Sequence, residues 1–278
     1  MTSAWQDPDS DERLNKLRNY ANFTRLRSES EALIDSWKQF PGASMQDLSQ
    51  TFSLVADLVS GSQPGLWPIV WLSLQVSALA TLIAALVGLP IAAAIALFSF
   101  RGRNVLVAIL NALMGLPAVV VGLLVYLLLS RAGPLGALGI LFTPTAMVIA
   151  QTVLVLPLIT ALSRQVLEDS LKELGPYLRS LKASRADLIK TVLFESRLSL
   201  LTALLAGFGR AAAEVGAVMI VGGNIEGVTR TMTTAIALET SKGDLALALA
   251  LGFILIAVVM TVNAGAQWLR VLARQAHG

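Results

Sequence analysis

The chain has 278 residues, 55% of them hydrophobic and only 14% charged, with a mean hydropathy of +0.70. A soluble domain carries about 25% charged residues, so this composition excludes one and points to an all-α, polytopic membrane protein. The net charge of +3 gives no reason to expect nucleic acid, and with no cysteine and one histidine, His277, disulfides, thiolate metal sites and Cys or His catalysis have no basis.

Residues 1–45 are polar and of mixed charge, from Asp7, Asp9, Asp11 and Glu12 to Arg25, Arg27, Glu29 and Glu31. A secretory signal begins basic and turns apolar at once, so this segment is expected to be a poorly ordered tail. Over 46–64 the pattern changes. Leu48, Phe52, Val55 and Val59 mark one helical face and Asp47, Gln50 and Asp57 oppose it, which predicts a short interfacial helix ended by Gly61 to Pro64. The membrane domain then occupies 65–278.

Span one is predicted over 67–98, with Trp67 and Trp71 in an interfacial belt and Gly88 and Pro90 setting a kink. Arg101 and Arg103 follow at once and place that end in the cytoplasm. Span two, 105–130, is interrupted by Asn111, Gly115 and Pro117. The glycine- and proline-rich connection 131–144 has a single charge, Arg131, as expected outside. Span three covers 145–162, with Gln151 and Pro157 inside it; span four covers 198–221 and span five 245–269. Five spans put the tail outside and the C-terminus in the cytoplasm. The alternative keeps the tail, which carries Arg13, Lys16, Arg18, Arg25, Arg27 and Lys38, inside, with 46–60 re-entering the membrane.

Between spans three and four, residues 163–197 form the one long charged stretch, including Arg164, Glu168, Lys172, Arg179, Lys182, Arg185, Lys190 and Arg197. A basic loop in this setting belongs in the cytoplasm. It has room for one or two short helices, with Gly175–Pro176 as the break. Leu178, Leu181, Leu188 and Ile189 recur at helical spacing, so part of it is able to lie against a partner protein; a solvated charged connection fits equally well.

Within the spans, Arg210 and Glu214 stand four apart and are expected to share a helix face as an ion pair. An arginine at mid-span costs about 2.5–3.5 kcal/mol on insertion scales, so it must face a partner, a cavity or water. The pair either fixes packing or borders a permeation path where Arg210 meets an anion. Gly207, Gly209, Gly216 and the alanines around them permit close helix approach. Gly115, Pro117, Gly122 and Gln151 are ambiguous in the same way, between packing and path. In the outer loop, Asn224, Thr229, Arg230 and Thr231 make either an ordinary capped loop or a contact for an oxyanion or a docked protein. No G-x-x-x-x-G-K-[ST] occurs, so this chain has no P-loop for ATP. Nor does it offer paired catalytic carboxylates, a zinc motif or a nucleophile elbow.

The order of spans, charged cytoplasmic loop and two final spans resembles the permease subunit of type I ABC importers. The segment Leu178-Arg179-Ser180-Leu181-Lys182-Ala183-Ser184-Arg185 is similar to that family's coupling loop, whose usual pattern is Glu-Ala-Ala, three residues, then Gly. Here Pro176-Tyr177-Leu178 replaces the opening and Lys182 takes the glycine's place. Leu116-Pro117-Ala118-Val119-Val120-Val121-Gly122, Gly209-Arg210 with Glu214-Val215-Gly216-Ala217, and Gly223-Asn224-Ile225 with Thr229-Arg230-Thr231-Met232 resemble the molybdate, sulfate and tungstate branch. Residues 127–136 and 142–147 look most like tungstate permeases. The resemblance covers roughly 46–275.

It implies a non-catalytic subunit in a cell inner membrane, paired with a second copy around the path. ATP and magnesium would sit on a partner ATPase docked at Leu178 and Leu181 to Arg185, with no cofactor on this chain. A periplasmic or extracellular binding protein would deliver the oxyanion at the outer loops. Two rivals stay open: the same fold serving molybdate, vanadate or sulfate, and a channel or scaffold working without ATP.

Overall fold

The computed structural model describes residues 66–275, together with Ser53, Val55 and Asp57. The expected tail over 1–45 lies outside the described residues, as does nearly all of 46–64; Ser53, Val55 and Asp57 are helical. Among the described residues every element is a helix. In chain order these are α1 (Leu66–Leu97), α2 (Arg103–Leu113), α3 (Ala118–Leu129), a 3-10 turn (Gly136–Leu138), α4 (Pro144–Ser180), α5 (Arg185–Ala212), α6 (Gly216–Gly222), α7 (Met232–Lys242) and α8 (Leu245–Gln275).

Among the described residues, four helices are long and apolar enough to cross a membrane: α1, α4, α5 and α8. The expected second span is not straight. α2 and α3 meet at a 98° bend, because Pro117 holds an extended backbone and caps α3. α2 begins beside the end of α1, while α3 ends against the start of α4, so together they still carry the chain from one end of the bundle to the other.

α1 and α4 form the spine. The buried face of α1 carries Ser77, Ala80, Thr81, Ala84, Gly88 and Ala92, spaced three or four apart, so its backbone approaches α4 closely. A Cβ on Gly88 would lie 2.7 Å from Thr160 Oγ1. That glycine serves close packing, and α1 continues as helix through Pro90. On the other side, Gly207 of α5 admits Ile159 of α4 in the same manner.

α4 has 37 residues, about 55 Å at ~1.5 Å per residue. The hydrocarbon core needs only about 20 residues, so the charged part of α4 extends beyond it as a stalk. This corrects the expected loop over 163–197. Its first part continues α4 and its last part opens α5, and only 181–184 turn. Gly175–Pro176 does not break the helix: Pro176 forfeits one backbone bond, and α4 runs on to Ser180. The expected fourth span, 198–221, is also divided, into α5 and α6 at Ala213–Val215. The apolar cores sit in separate patches, one joining α3, α4 and α6 with Val76 of α1, another joining α1, α7 and α8.

Candidate gate and coupling turn

The break between α5 and α6 is built around Glu214. α5 ends at Ala212, and the last turn closes through the Ala213 N–H to the Gly209 carbonyl at 3.1 Å. Glu214 then points back. Its Oε2 accepts from Arg210 Nη1 at 2.5 Å, and its Oε1 accepts from the Ala217 N–H at 3.1 Å. One carboxylate thus pairs with the end of α5 and satisfies an unbonded donor at the start of α6. The expected i,i+4 ion pair is present, but it bridges two helices rather than lining one. Its two partners differ in access: the Glu214 side chain is 5% exposed and Arg210 is 41% exposed.

Gln151 and Pro117 come to the same break. Gln151, buried on α4, donates Nε2 to the Ala211 carbonyl at 3.0 Å, capping the end of α5. Its Oε1 is buried with no hydrogen-bond partner. Pro117 caps α3, and Val119, two residues on, covers Gly216, whose Cβ would lie 2.8 Å from Val119 Cγ2. Deeper in this seam, a Cβ on Gly122 would lie 2.7 Å from Ala217 Cα. All four residues singled out for the path therefore meet where α3, α4, α5 and α6 converge.

The outer loop has a different use. Thr229 is fully buried; its hydroxyl donates to the Gly222 carbonyl at 2.6 Å and accepts from the Ile225 N–H at 2.9 Å. Thr231 caps α7 in a reciprocal box with Thr234. Asn224 takes a left-handed backbone, φ 50°, and donates to the Thr234 carbonyl at 3.5 Å. Arg230 pairs with the exposed Glu226 at 3.3 Å. The hydroxyls of Thr229 and Thr231 are thus engaged inside the fold.

Three groups that sequence reading missed fix this loop. Thr233 ties it to the break, donating to the Glu214 carbonyl at 2.9 Å; Ser73 ties it to α1, accepting from the Met232 N–H at 2.8 Å; and Thr234 completes the cap on Thr231. The partners of Thr233 and Ser73 lie elsewhere in the chain, so no local pattern marks those two.

At the inner end, the turn between α4 and α5 is a helix C-cap followed by an N-cap. The Ala183 N–H reaches back to the Leu178 carbonyl at 3.0 Å around Lys182, whose φ is 55°. This is the Schellman closure, which favours glycine at the left-handed position. Lys182 stands where the importer pattern has its glycine, and the backbone keeps the glycine conformation despite the side chain. Ser184 caps α5, its Oγ accepting from the Asp187 N–H at 3.2 Å. Arg185 is the first residue of α5. Leu181 and, one turn earlier, Tyr177 are 76% and 71% exposed.

No family model matches this chain. Curated relatives do. A probable anion ABC transporter permease of Haloferax volcanii is 44% identical over 69% of this chain and 85% of its own length. A tungstate uptake permease of Peptoclostridium acidaminophilum is 39% identical over 79% of this chain and 96% of its own length. The chain belongs to the ABC importer permease family. A molybdenum transport permease of Escherichia coli is 30% identical over 76% of this chain and 96% of its own length. As an ABC importer permease it is a multi-pass membrane subunit, and its helical architecture agrees with that membership.

Proposed function

We infer that this permease carries a tetrahedral oxyanion, tungstate first, through a path between two copies of the chain. A separate ATPase grips the Leu178–Arg185 turn, a binding protein docks on the outer loops, and the C-terminus lies in the cytoplasm of an inner-membrane complex. The observation that carries this reading is the convergence at Glu214. A half-exposed arginine stands on a hinge of small residues, held by a buried carboxylate, inside a family whose relatives are named for anion and tungstate transport.

Glu214 does not contact the anion in this scheme, since like charges repel. It aims Arg210, whose open side supplies the positive charge. Displacement at the turn travels along α4 and α5, rigid elements that move as units, to the break at their far ends. The exposed face of α3, with Val120, Leu123, Leu124 and Leu127, is the surface offered to the second copy.

Vesicle uptake tests this. The chain, reconstituted with the ATPase and binding protein encoded beside it, is expected to accumulate tungstate only with ATP. Molybdate and sulfate are expected to compete in the order of the binding protein's affinity. Molybdate accumulating in preference would favour the reading suggested by the Escherichia coli relative. ATP-independent flux, or purification without an ATPase, would make the protein a channel or scaffold.

A further inference from the structure

α2 contributes no buried residue; Leu106, Val107, Leu110 and Leu113 are only partly buried, so apolar packing within one copy holds it weakly. Its far end is fixed through the elbow, where Leu116 and Ala118 pack on the core shared by α3, α4 and α6. Its near end is fixed by charge. Arg103, the first residue of α2, donates Nε to the Ile95 carbonyl on α1 at 2.8 Å and Nη2 to Glu168 Oε1 on the α4 stalk. The same Oε1 accepts from Arg164 Nη1 at 2.7 Å. The side chains are 14–29% exposed, sheltered enough for the contacts to outweigh those of an open surface pair. Among the described residues, Arg103 is the one residue of α2 whose side chain makes a hydrogen bond or ion pair to the rest of the bundle.

We propose that Glu168 is a positioning residue that makes the α2–α3 arm follow the α4 stalk, so that each copy moves as one body. This rests on the ATP-driven reading above. The contact of Val119 with Gly216 has two sides, one carried by α5 and α6 from the turn, the other by α2 and α3. If the second side lagged, displacement at the turn would part α3 from α6 within one copy. With Glu168 holding Arg103, both sides travel together and the opening falls between copies. Loss of the tie leaves ATP hydrolysis running while transport fails.

The chain has no cysteine, so one nitroxide label can be placed at Ile109 on α2 and one at Lys172 on the stalk, both exposed and Lys172 clear of the apolar turn. Arg103→Gln removes the tie to α2 and leaves Arg164 with Glu168, so it spares the stalk; Glu168→Gln removes both. In full transporters assembled from the doubly labelled chain diluted in unlabelled chain, the unaltered background is expected to give one narrow within-copy distance distribution, unchanged by ATP. Arg103→Gln is expected to broaden it even at rest, to leave ATP hydrolysis within about twofold, and to lower tungstate uptake at least about tenfold; a tenfold change corresponds to ~1.4 kcal/mol. The double variant is expected to be no worse than Glu168→Gln alone, as for groups acting together. Arg103→Lys, which keeps the charge, is expected to recover part of the uptake. A resting distribution as narrow in Arg103→Gln as in the unaltered background overturns the proposal, as does unchanged uptake. Failure of the unaltered chain to take up any oxyanion would instead overturn the functional reading, and the resting distance would still decide whether Glu168 holds the arm.

Discussion

Arg210→Gln is expected to destabilise the permease more than Glu214→Gln, although the two residues form one ion pair. The difference follows from access. Removing Arg210 strands a carboxylate that is 5% exposed and keeps a single donor, the Ala217 N–H. Breaking a buried pair from one side costs about 3–5 kcal/mol, a large part of a typical 5–15 kcal/mol stability. Removing the charge of Glu214 leaves a guanidinium that is 41% exposed and able to turn to water, and Gln retains an acceptor for Ala217.

Arg210→Gln should therefore lower the yield of folded protein and its melting temperature in detergent. Glu214→Gln should fold and assemble, yet lose about tenfold in uptake because Arg210 is no longer aimed. The double Gln variant is expected to recover folded protein without recovering transport, since removing both charges leaves neither stranded. Equal melting temperatures for the two single variants would show that the pair is not asymmetric.

Gly122→Ala is expected to be among the most damaging single-methyl additions in the chain. Its Cβ would meet the backbone of Ala217, at 2.7 Å from Cα and 3.3 Å from the carbonyl oxygen, and backbone does not yield as a side chain does. Overpacking of this kind costs about 1–3 kcal/mol, occasionally more, and here it would force α3 off α6 beside the break. Ala217→Gly is expected not to rescue it, because the opposing Cα and carbonyl remain. Gly216→Ala makes an informative contrast: its Cβ would meet the Val119 side chain, so Val119→Ala is expected to rescue that variant. Thermal inactivation of the four proteins, with uptake assayed beside it, checks the pattern. Rescue of Gly122→Ala by Ala217→Gly would contradict the backbone contact.

Much of this architecture is legible in the sequence because lipid imposes a simple rule: apolar runs long enough to span must be helices. Span one is predicted over 67–98 and observed as Leu66–Leu97. The unreadable parts are those set by distant partners. Gly175–Pro176 looks like a helix stop by local chemistry, but the stalk continues past it and turns at Lys182, where the Leu178 carbonyl and the Ala183 N–H close the cap. Nothing local marks Glu214 as the point where span four divides. A carboxylate that caps α6 while holding Arg210 becomes visible only in the folded chain.

The polar residues proposed for the path, Gln151, Arg210 and Glu214, stand out in the sequence because charge and amide groups inside a span are costly. Their convergence with Pro117 does not, since α3 and α4 bring those residues together from far apart in the chain. Glu168 and Arg103 are 65 positions apart, and both read as ordinary cytoplasmic charges until the helices place them in contact. Thr229 and Thr231 are the reverse case: hydroxyls beside an arginine suggest a ligand contact, and the fold uses them to bind its own backbone.

Solvent access at the break in response to ATP tests the central claim most directly. A single cysteine at Val119, the residue that covers Gly216, would be exposed to a membrane-impermeant maleimide in vesicles containing the permease, its ATPase and its binding protein. With the turn intact, ATP is expected to change the labelling rate at least about tenfold, a ~1.4 kcal/mol shift in the open population. With Leu181→Asp, which removes the exposed apolar contact at the turn, ATP is expected to have no effect. Labelling at one rate with and without ATP, in a chain that still captures its ATPase, would contradict the passage of force from the turn to Glu214.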